Sequence, residues 1–268
     1  MMQTLRMNSK GGDVYTLQQL LQEWGYDIPV TGNFAQMTDA AVRDFQSRNH
    51  LTADGIVGKR TWEMLMDKDT RLLELLRLKE EDFIRAADTL QVEVATVKAV
   101  QEVETGGRGG FFASDKPAIL FEGHIFWSHL KKMGLNPEDY QKGNEDILYP
   151  KWTKDHYKGG KGEYDRLERA MRINPEAAMN SASWGLFQIM GFNHKVCGCD
   201  CVRDFVEMMK ESEGRQLDLF TSFIKGNALE QYLRKKDWAG FASRYNGPAY
   251  AENKYDVKLK AADEKHNA

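Results

Sequence analysis

Between Thr4 and Leu65 the chain carries the same turn twice, and this echo restricts its first quarter to a stack of short helices. The first copy is Val30-Thr31-Gly32-Asn33-Phe34, followed by Thr38 and a helix through Ala41, Val42 and Phe45. The second is Ala53-Asp54-Gly55-Ile56-Val57-Gly58, followed by Thr61, Trp62 and Leu65. In each copy a glycine permits a turn with positive φ, an apolar residue plugs inward, and a threonine stands ready to cap the next helix. Ahead of both, Asp13–Leu21 has helical spacing, with Val14, Leu17, Leu20 and Leu21 on one face. Three helices joined by tight turns make a small compact unit with little stability to spare. Met66–Arg77 starts highly charged and lacks Pro and Gly, so it reads as a helical connector. The expected organisation is therefore a module at 1–66, a connector at 67–77 and a larger domain at 78–268.

The larger domain is mostly helical in pattern, and one of its helices ends on an unusual glutamate. In Val92–Gly107 (VEVATVKAVQEVETGG), Glu104 falls between Val97 and Val100 on the inward face at about 100° per residue. Glu102 points elsewhere, within reach of Lys98 four residues back. Gly106 and Gly107 end the helix and leave room beside the carboxylate. A carboxyl group held against apolar side chains resists ionising, so it can keep a proton near neutral pH and act as a general acid. A glutamate at a helix end is more often simply solvated, and this stretch alone leaves both readings open.

Two later segments combine core and polar residues in the same way. Ser181–Ile189 places Ser183 and Gln188 in an otherwise apolar run, where a buried amide must find backbone partners or a ligand's hydroxyls. Trp238–Gly247 ends a helix in a turn that offers the Tyr245 phenol and the Asn246 amide. The bland reading of each is core plus helix cap. Helices are also expected around Phe83–Leu90, Tyr164–Asn174 (a charged surface helix), Phe205–Lys210 and Leu217–Tyr232. A short strand fits Ile119–Phe121, and the fold class is mainly all-α.

Composition excludes several functions. A net charge of −3 over 268 residues gives no electrostatic drive toward nucleic acid or an anionic membrane. No run approaches transmembrane length, and MMQTLRMNSKGGD lacks the sustained apolar core of a signal peptide. The three cysteines, Cys197, Cys199 and Cys201, alternate in CGCDC. That spacing suits neither a disulfide framework nor the usual zinc pair, so free thiols, no metal and no cofactor are expected.

The ordered motifs resemble known families. Gly12-Asp13-Val14, Leu17-Gln18, Gly25-Tyr26, Thr31-Gly32-Asn33-Phe34, Phe45-Gln46, Asp54-Gly55-Ile56-Val57-Gly58 and Thr61-Trp62 are similar to the peptidoglycan-binding domain family of three-helix modules. Val103-Glu104-Thr105-Gly106-Gly107, Leu120-Phe121-Glu122-Gly123-His124, Trp184-Gly185-Leu186-Phe187-Gln188-Ile189 and Tyr245-Asn246-Gly247 resemble the N-acetylmuramidase family of the lysozyme superfamily. The resemblance implies a lysozyme-like catalytic domain that cleaves between N-acetylmuramic acid and N-acetylglucosamine, as in modular endolysins. It makes Glu104 the general acid and gives substrate contacts to Ser183, Gln188, Tyr245 and Asn246. Glu122 is the candidate second carboxylate, with Asp115 behind it. In the wall-binding module, exposed aromatics such as Trp24 or Tyr26 could stack on sugar faces. The expected partner is bacterial peptidoglycan, met by a monomer that is made in the cytoplasm and reaches the wall by release or delivery. A lytic transglycosylase acting on the same bond, a secreted antibacterial toxin and a noncatalytic wall-binding protein are the alternatives.

Overall fold

The structure is a computed structural model that describes residues 2–268, apart from the side chains of Lys68, Asp69, Pro248 and Ala249. The chain divides into two compact units, residues 1–75 and 76–268.

The first unit packs α1 (Gly12–Glu23), α2 (Gln36–Arg48), α3 (Lys59–Met66) and α4 (Lys68–Leu75). Its core holds Val14, Leu17, Leu21, Phe34, Val42, Phe45, Val57 and Leu65. The repeated turn has a repeated cause. Gln18 of α1 is buried, and its Oε1 accepts from the backbone N–H groups of Thr31 and Gly32, both at 2.8 Å. Its Nε2 donates to Asn33 O at 2.9 Å and Thr38 Oγ1 at 3.0 Å. Gln46 of α2 treats the second turn likewise, accepting from Gly55 N at 2.9 Å and donating to Ile56 O at 3.0 Å and Thr61 Oγ1 at 3.3 Å. Gly32 and Gly55 have φ of 70° and 72°. The threonines therefore do not cap the helices as expected. Each sits three residues inside its helix, behind the N-cap residues Ala35 and Gly58, because its hydroxyl is taken up by the buried glutamine. Trp24 lies in the core and donates its indole N–H to Leu65 O, which removes it as a sugar platform. The Tyr26 hydroxyl donates to Asp44.

The second unit starts with α5 (Glu80–Leu90) and α6 (Val94–Thr105). A small hairpin follows, β1 (Phe111–Ala113) with β2 (Lys116–Pro117). A three-stranded antiparallel sheet then orders β3 (Ile119–Phe121), β4 (Ala182–Trp184) and β5 (Ile189–Met190) side by side. Between β3 and β4 come α7 (Gly123–Lys132), the short α8 (Glu138–Gln141), α9 (Gly162–Ile173) and α10 (Pro175–Asn180). After β5 the chain is helical again: α11 (Val202–Glu211), α12 (Glu213–Gly226), α13 (Glu230–Arg234), α14 (Trp238–Tyr245) and α15 (Tyr255–Asn267). The last of these returns to pack along α6. The unit is mainly α-helical, with Phe121, Phe126, Leu130, Trp184, Phe205 and Phe241 fully or almost fully buried at its centre.

Two electrostatic details differ from the sequence reading. Glu102 does not pair with Lys98. Packing of α15 brings Lys265 and His266 to Glu102, while Lys98 reaches Glu80 instead. Helix α9, for all its charge, is not merely a surface helix. Glu163 and Arg166 form an ion pair at 2.8 Å with side-chain exposures of 0% and 1%. Burying two charges costs several kcal/mol per ion unless every polar atom is satisfied, on the order of the pair's own attraction. Here it is met by backbone groups: Glu163 accepts from Phe121 N, Lys158 N and Gly159 N, and Arg166 donates to Phe121 O and Asp146 O.

Candidate active site

Helix α6 delivers Glu104 one residue before its last, and Gly106 at φ 56° and Gly107 at φ 78° turn the chain away immediately. Any other residue would be strained at those angles. Thr105, fully buried, ties the end down by accepting from Gly107 N through Oγ1. The Glu104 carboxylate lies under the corner made by α14 and α15. Burial pushes its pKa up to about 7, and the Asn246 amide, whose Nδ2 donates to Oε1 at 3.5 Å, offsets this only in part. Burial, and then the neighbouring Glu104 charge, also hold the Tyr245 phenol well above its usual range. The Tyr245 ring is fixed by stacking on Phe241 at 5.5 Å and by edge contacts with Phe220 and Phe223. Phe220 in turn stacks on Phe187 at 4.0 Å, so a column of rings links the Tyr245 corner to the β4–β5 turn.

That turn, Gly185–Gln188, closes on itself. Gln188 adopts φ 49°, and its Nε2 donates to Gly185 O at 2.8 Å and Ala118 O at 3.2 Å. Its Oε1 accepts from Ser183 Oγ at 2.8 Å. Gln188 is exposed, whereas Ser183 is buried. The two polar residues singled out together in the sequence thus meet, with both amide hydrogens of Gln188 already engaged by the fold.

A cleft of about 460 Å³ opens beside this turn, walled by Arg108–Phe112, Ala118–Leu120, Gly159–Gly160 and Gly185–Gln188. Glu104 is not one of its lining residues; Arg108, four residues further on, is. The Arg108 guanidinium is anchored by donating to Thr105 O.

The other acids sit apart from Glu104's pocket. Glu122, directly after β3, accepts from the Tyr157 hydroxyl at 2.8 and 2.9 Å and lies 3.3 Å from His124 Nδ1. Asp115 is exposed in the β1–β2 turn. Cys197 and Cys199 are packed into the core, where burial pushes the Cys197 thiol up to about 12, and Cys201 is exposed. All three are free thiols.

The residues that hold the walls together escaped the sequence reading. Gln216 on α12 is fully buried; its Oε1 accepts from Leu186 N, and its Nε2 donates to Gly110 O and Met209 O. Glu213, one turn earlier, accepts from Gly110 N and Leu78 N. Glu163 likewise fixes the Lys158–Gly159 backbone. Only the surplus of acids and amides on otherwise apolar helix faces hinted at these roles.

Comparison with known proteins bears on the whole chain. The N-acetylmuramidase family matches residues 93–267, and the peptidoglycan binding domain family matches residues 10–65. Among solved structures, the endolysin of the Burkholderia phage AP3 is similar at 39% identity over 99% of both chains, with a TM-score of 0.67. With a half-buried glutamate at the end of α6, a cleft lined by Arg108 four residues later and more than half of its length matched, the chain belongs to the N-acetylmuramidase family of glycoside hydrolases and carries a peptidoglycan-binding domain in front.

Proposed function

We propose that Glu104 is the general acid of this peptidoglycan hydrolase and that the bond it opens joins N-acetylmuramic acid to N-acetylglucosamine. The single observation behind this reading is a carboxyl pushed up to about 7 by burial, at the helix end from which the chain runs on to Arg108 in the cleft wall. Such a group keeps a large fraction of its proton at neutral pH and can pass it to a leaving oxygen. In the reaction the C1–O bond of the muramic acid residue breaks and the Glu104 proton goes to the departing oxygen. Water bonds to the oxocarbenium-like C1 and releases a proton to solvent, from which Glu104 is later recharged.

Asn246 and Tyr245 wall the acid's pocket and exclude water from it. Gln188 and Ser183 shape the cleft through the closed turn, and the exposed face of Gln188 meets the sugar. To Glu122 we assign a positioning task, because its oxygens face Tyr157 and His124 rather than Glu104. The biological setting consistent with the AP3 phage relative is that of a phage-type endolysin, which gains access to the wall at lysis.

The test is mass spectrometry of the muropeptides released from purified wall. Muramic acid with a free reducing end is expected; anhydro ends would make the enzyme a transglycosylase. Glu104→Gln should lower the rate by about a hundredfold or more, and Glu122→Gln far less. Undiminished lysis by Glu104→Gln would refute the assignment.

A further inference from the structure

Trp152 is 63% exposed, more than any other large apolar side chain among the described residues. A surface tryptophan forgoes the burial that usually holds its ring in place, so an exposed one on an anchored loop calls for a partner. Its loop is firmly anchored. Tyr149 at the loop's start is buried, its hydroxyl accepts from Gly123 N, and its ring lies 4.7 Å from that of His156. Tyr157 donates to Glu122, the Trp152 indole lies near the Tyr157 hydroxyl, and Glu163 grips the backbone of Lys158 and Gly159. The loop is thus anchored on both sides of a tryptophan that is itself left exposed.

This loop continues the cleft. Ile119 and Leu120 line one wall and Glu122 follows them in the chain; Gly159 and Gly160 line another, just after Tyr157. The Glu122–Tyr157 hydrogen bond therefore bridges the two walls at one end, with Trp152 beyond it. The loop also carries an excess of positive charge in a chain whose net charge is −3. Lys151, Lys154, Lys158 and Lys161 are all exposed, and none is ion-paired among the described residues. Asp155 is the only acid among them.

We propose that Trp152 is a stacking platform for the glycan strand where it leaves the cleft past Glu122 and Tyr157, and that the lysines of the same loop receive the carboxylates of its stem peptides. A pyranose ring presents a C–H face that packs on an indole, and peptide carboxylates complement the unpaired ammonium groups. The proposal rests on the cleft holding peptidoglycan and adds to it a distal subsite that grips polymer rather than the scissile bond.

Full-length enzyme and its variants Trp152→Ala and Trp152→Phe are assayed for reducing-end release from three substrates. These are intact sacculi, peptide-free glycan chains prepared with an amidase, and soluble fragments of two disaccharide repeats. The expected result for Trp152→Ala is a KM on sacculi raised about tenfold, equivalent to about 1.4 kcal/mol, with kcat and the kinetics on short fragments unchanged. Trp152→Phe should retain most of the binding. The double variant Lys151→Gln with Lys154→Gln should raise KM on sacculi but not on peptide-free glycan. An unchanged KM on sacculi, or equal losses on long and short substrates, overturns the subsite. So does a loss confined to walls bearing teichoic acid, which would assign the platform to that polymer instead. Wild type and Glu104→Gln run alongside: if wild type releases no reducing ends, the hydrolase reading fails, whereas an active wild type matched by Trp152→Ala sinks only the platform.

Discussion

Asn246 Nδ2 stands 3.5 Å from Glu104 Oε1, at the long end of a hydrogen bond, while Asn246 Oδ1 is buried without a partner among the described residues. The amide favours the charged carboxylate, so it works against the burial that keeps Glu104 protonated. The wild-type rate should fall as pH rises through about 7, as the acid loses its proton. In Asn246→Ala that alkaline limb should move to higher pH even though the maximal rate drops. A pH–rate profile of kcat/KM checks this, and a limb that stayed in place would remove Asn246 from the acid's control.

Stability carries the same signature with a definite sign. The folded-state pKa of Glu104 is about 7, above the ordinary 4.5. Between those values the folded chain holds a proton that the unfolded chain has lost. The stability linked to that proton is complete below about pH 4.5 and is lost as pH rises through about 7. Glu104→Gln escapes the loss. It should match wild type at pH 4 and exceed it at pH 8 by up to about 3 kcal/mol. Urea unfolding of both proteins across that range measures the difference, and a constant offset would show that Glu104 ionises in the fold as it does in water.

Gln216 makes a further prediction about the cleft walls. A Cβ at Gly110 would lie 2.1 Å from Gln216 Oε1, and one at Gly185, which also has φ 71°, would lie 2.8 Å from Gln216 Cδ. Gly110→Ala must displace the amide or the strand entry, at a cost of about 2–3 kcal/mol. Gln216→Ala strands Leu186 N–H together with the Met209 carbonyl, and should cost about 2–4 kcal/mol. Because the tie joins two walls of the cleft, Gln216→Ala should also raise KM on peptidoglycan. Kinetics on sacculi beside denaturant unfolding separate the two effects.

Glu104 was legible in the sequence because helical spacing and the following Gly-Gly pair place it on a buried face by local rules alone. Tyr245 and Asn246 were legible only as part of an ordered set of motifs, since nothing across a separation of 142 residues says that α14 returns to the end of α6. The Glu163–Arg166 pair was missed for a related reason. Oppositely charged residues three apart look the same on a wet surface and in a core, and only the packing of α9 against β3 decides between them. Glu102 failed likewise, because a local partner four residues away lost to Lys265 and His266 delivered by α15. Long-range register is what periodicity cannot read.

The wall-binding module provides the sharpest test of what the repeat is for. If the echo existed only to place glycines in turns, Gln18 and Gln46 would be replaceable. In the fold each amide instead serves backbone N–H and C=O groups of a turn that lies outside any helix or sheet ladder. Removing Gln46 leaves the buried Gly55 N–H without its acceptor, removing Gln18 does the same to Thr31 and Gly32 N–H, and each stranded group costs on the order of 1–3 kcal/mol. Gln46→Ala should therefore destabilise the first unit by about 3 kcal/mol, with Gln18→Ala close behind, a large fraction for a unit of 75 residues. Gln46→Glu should recover little, because a carboxylate supplies the acceptor for Gly55 N but sets negative charge against Asp54 Oδ1 and Ile56 O, to which Nε2 had donated. Amide hydrogen exchange in the full chain resolves the outcome by residue. Protection should be lost first at Gly55 in the Gln46 variants and at Thr31 and Gly32 in the Gln18 variant, while α6 and Glu104 keep theirs. Equal protection in all three would mean that the turns hold through their glycines alone.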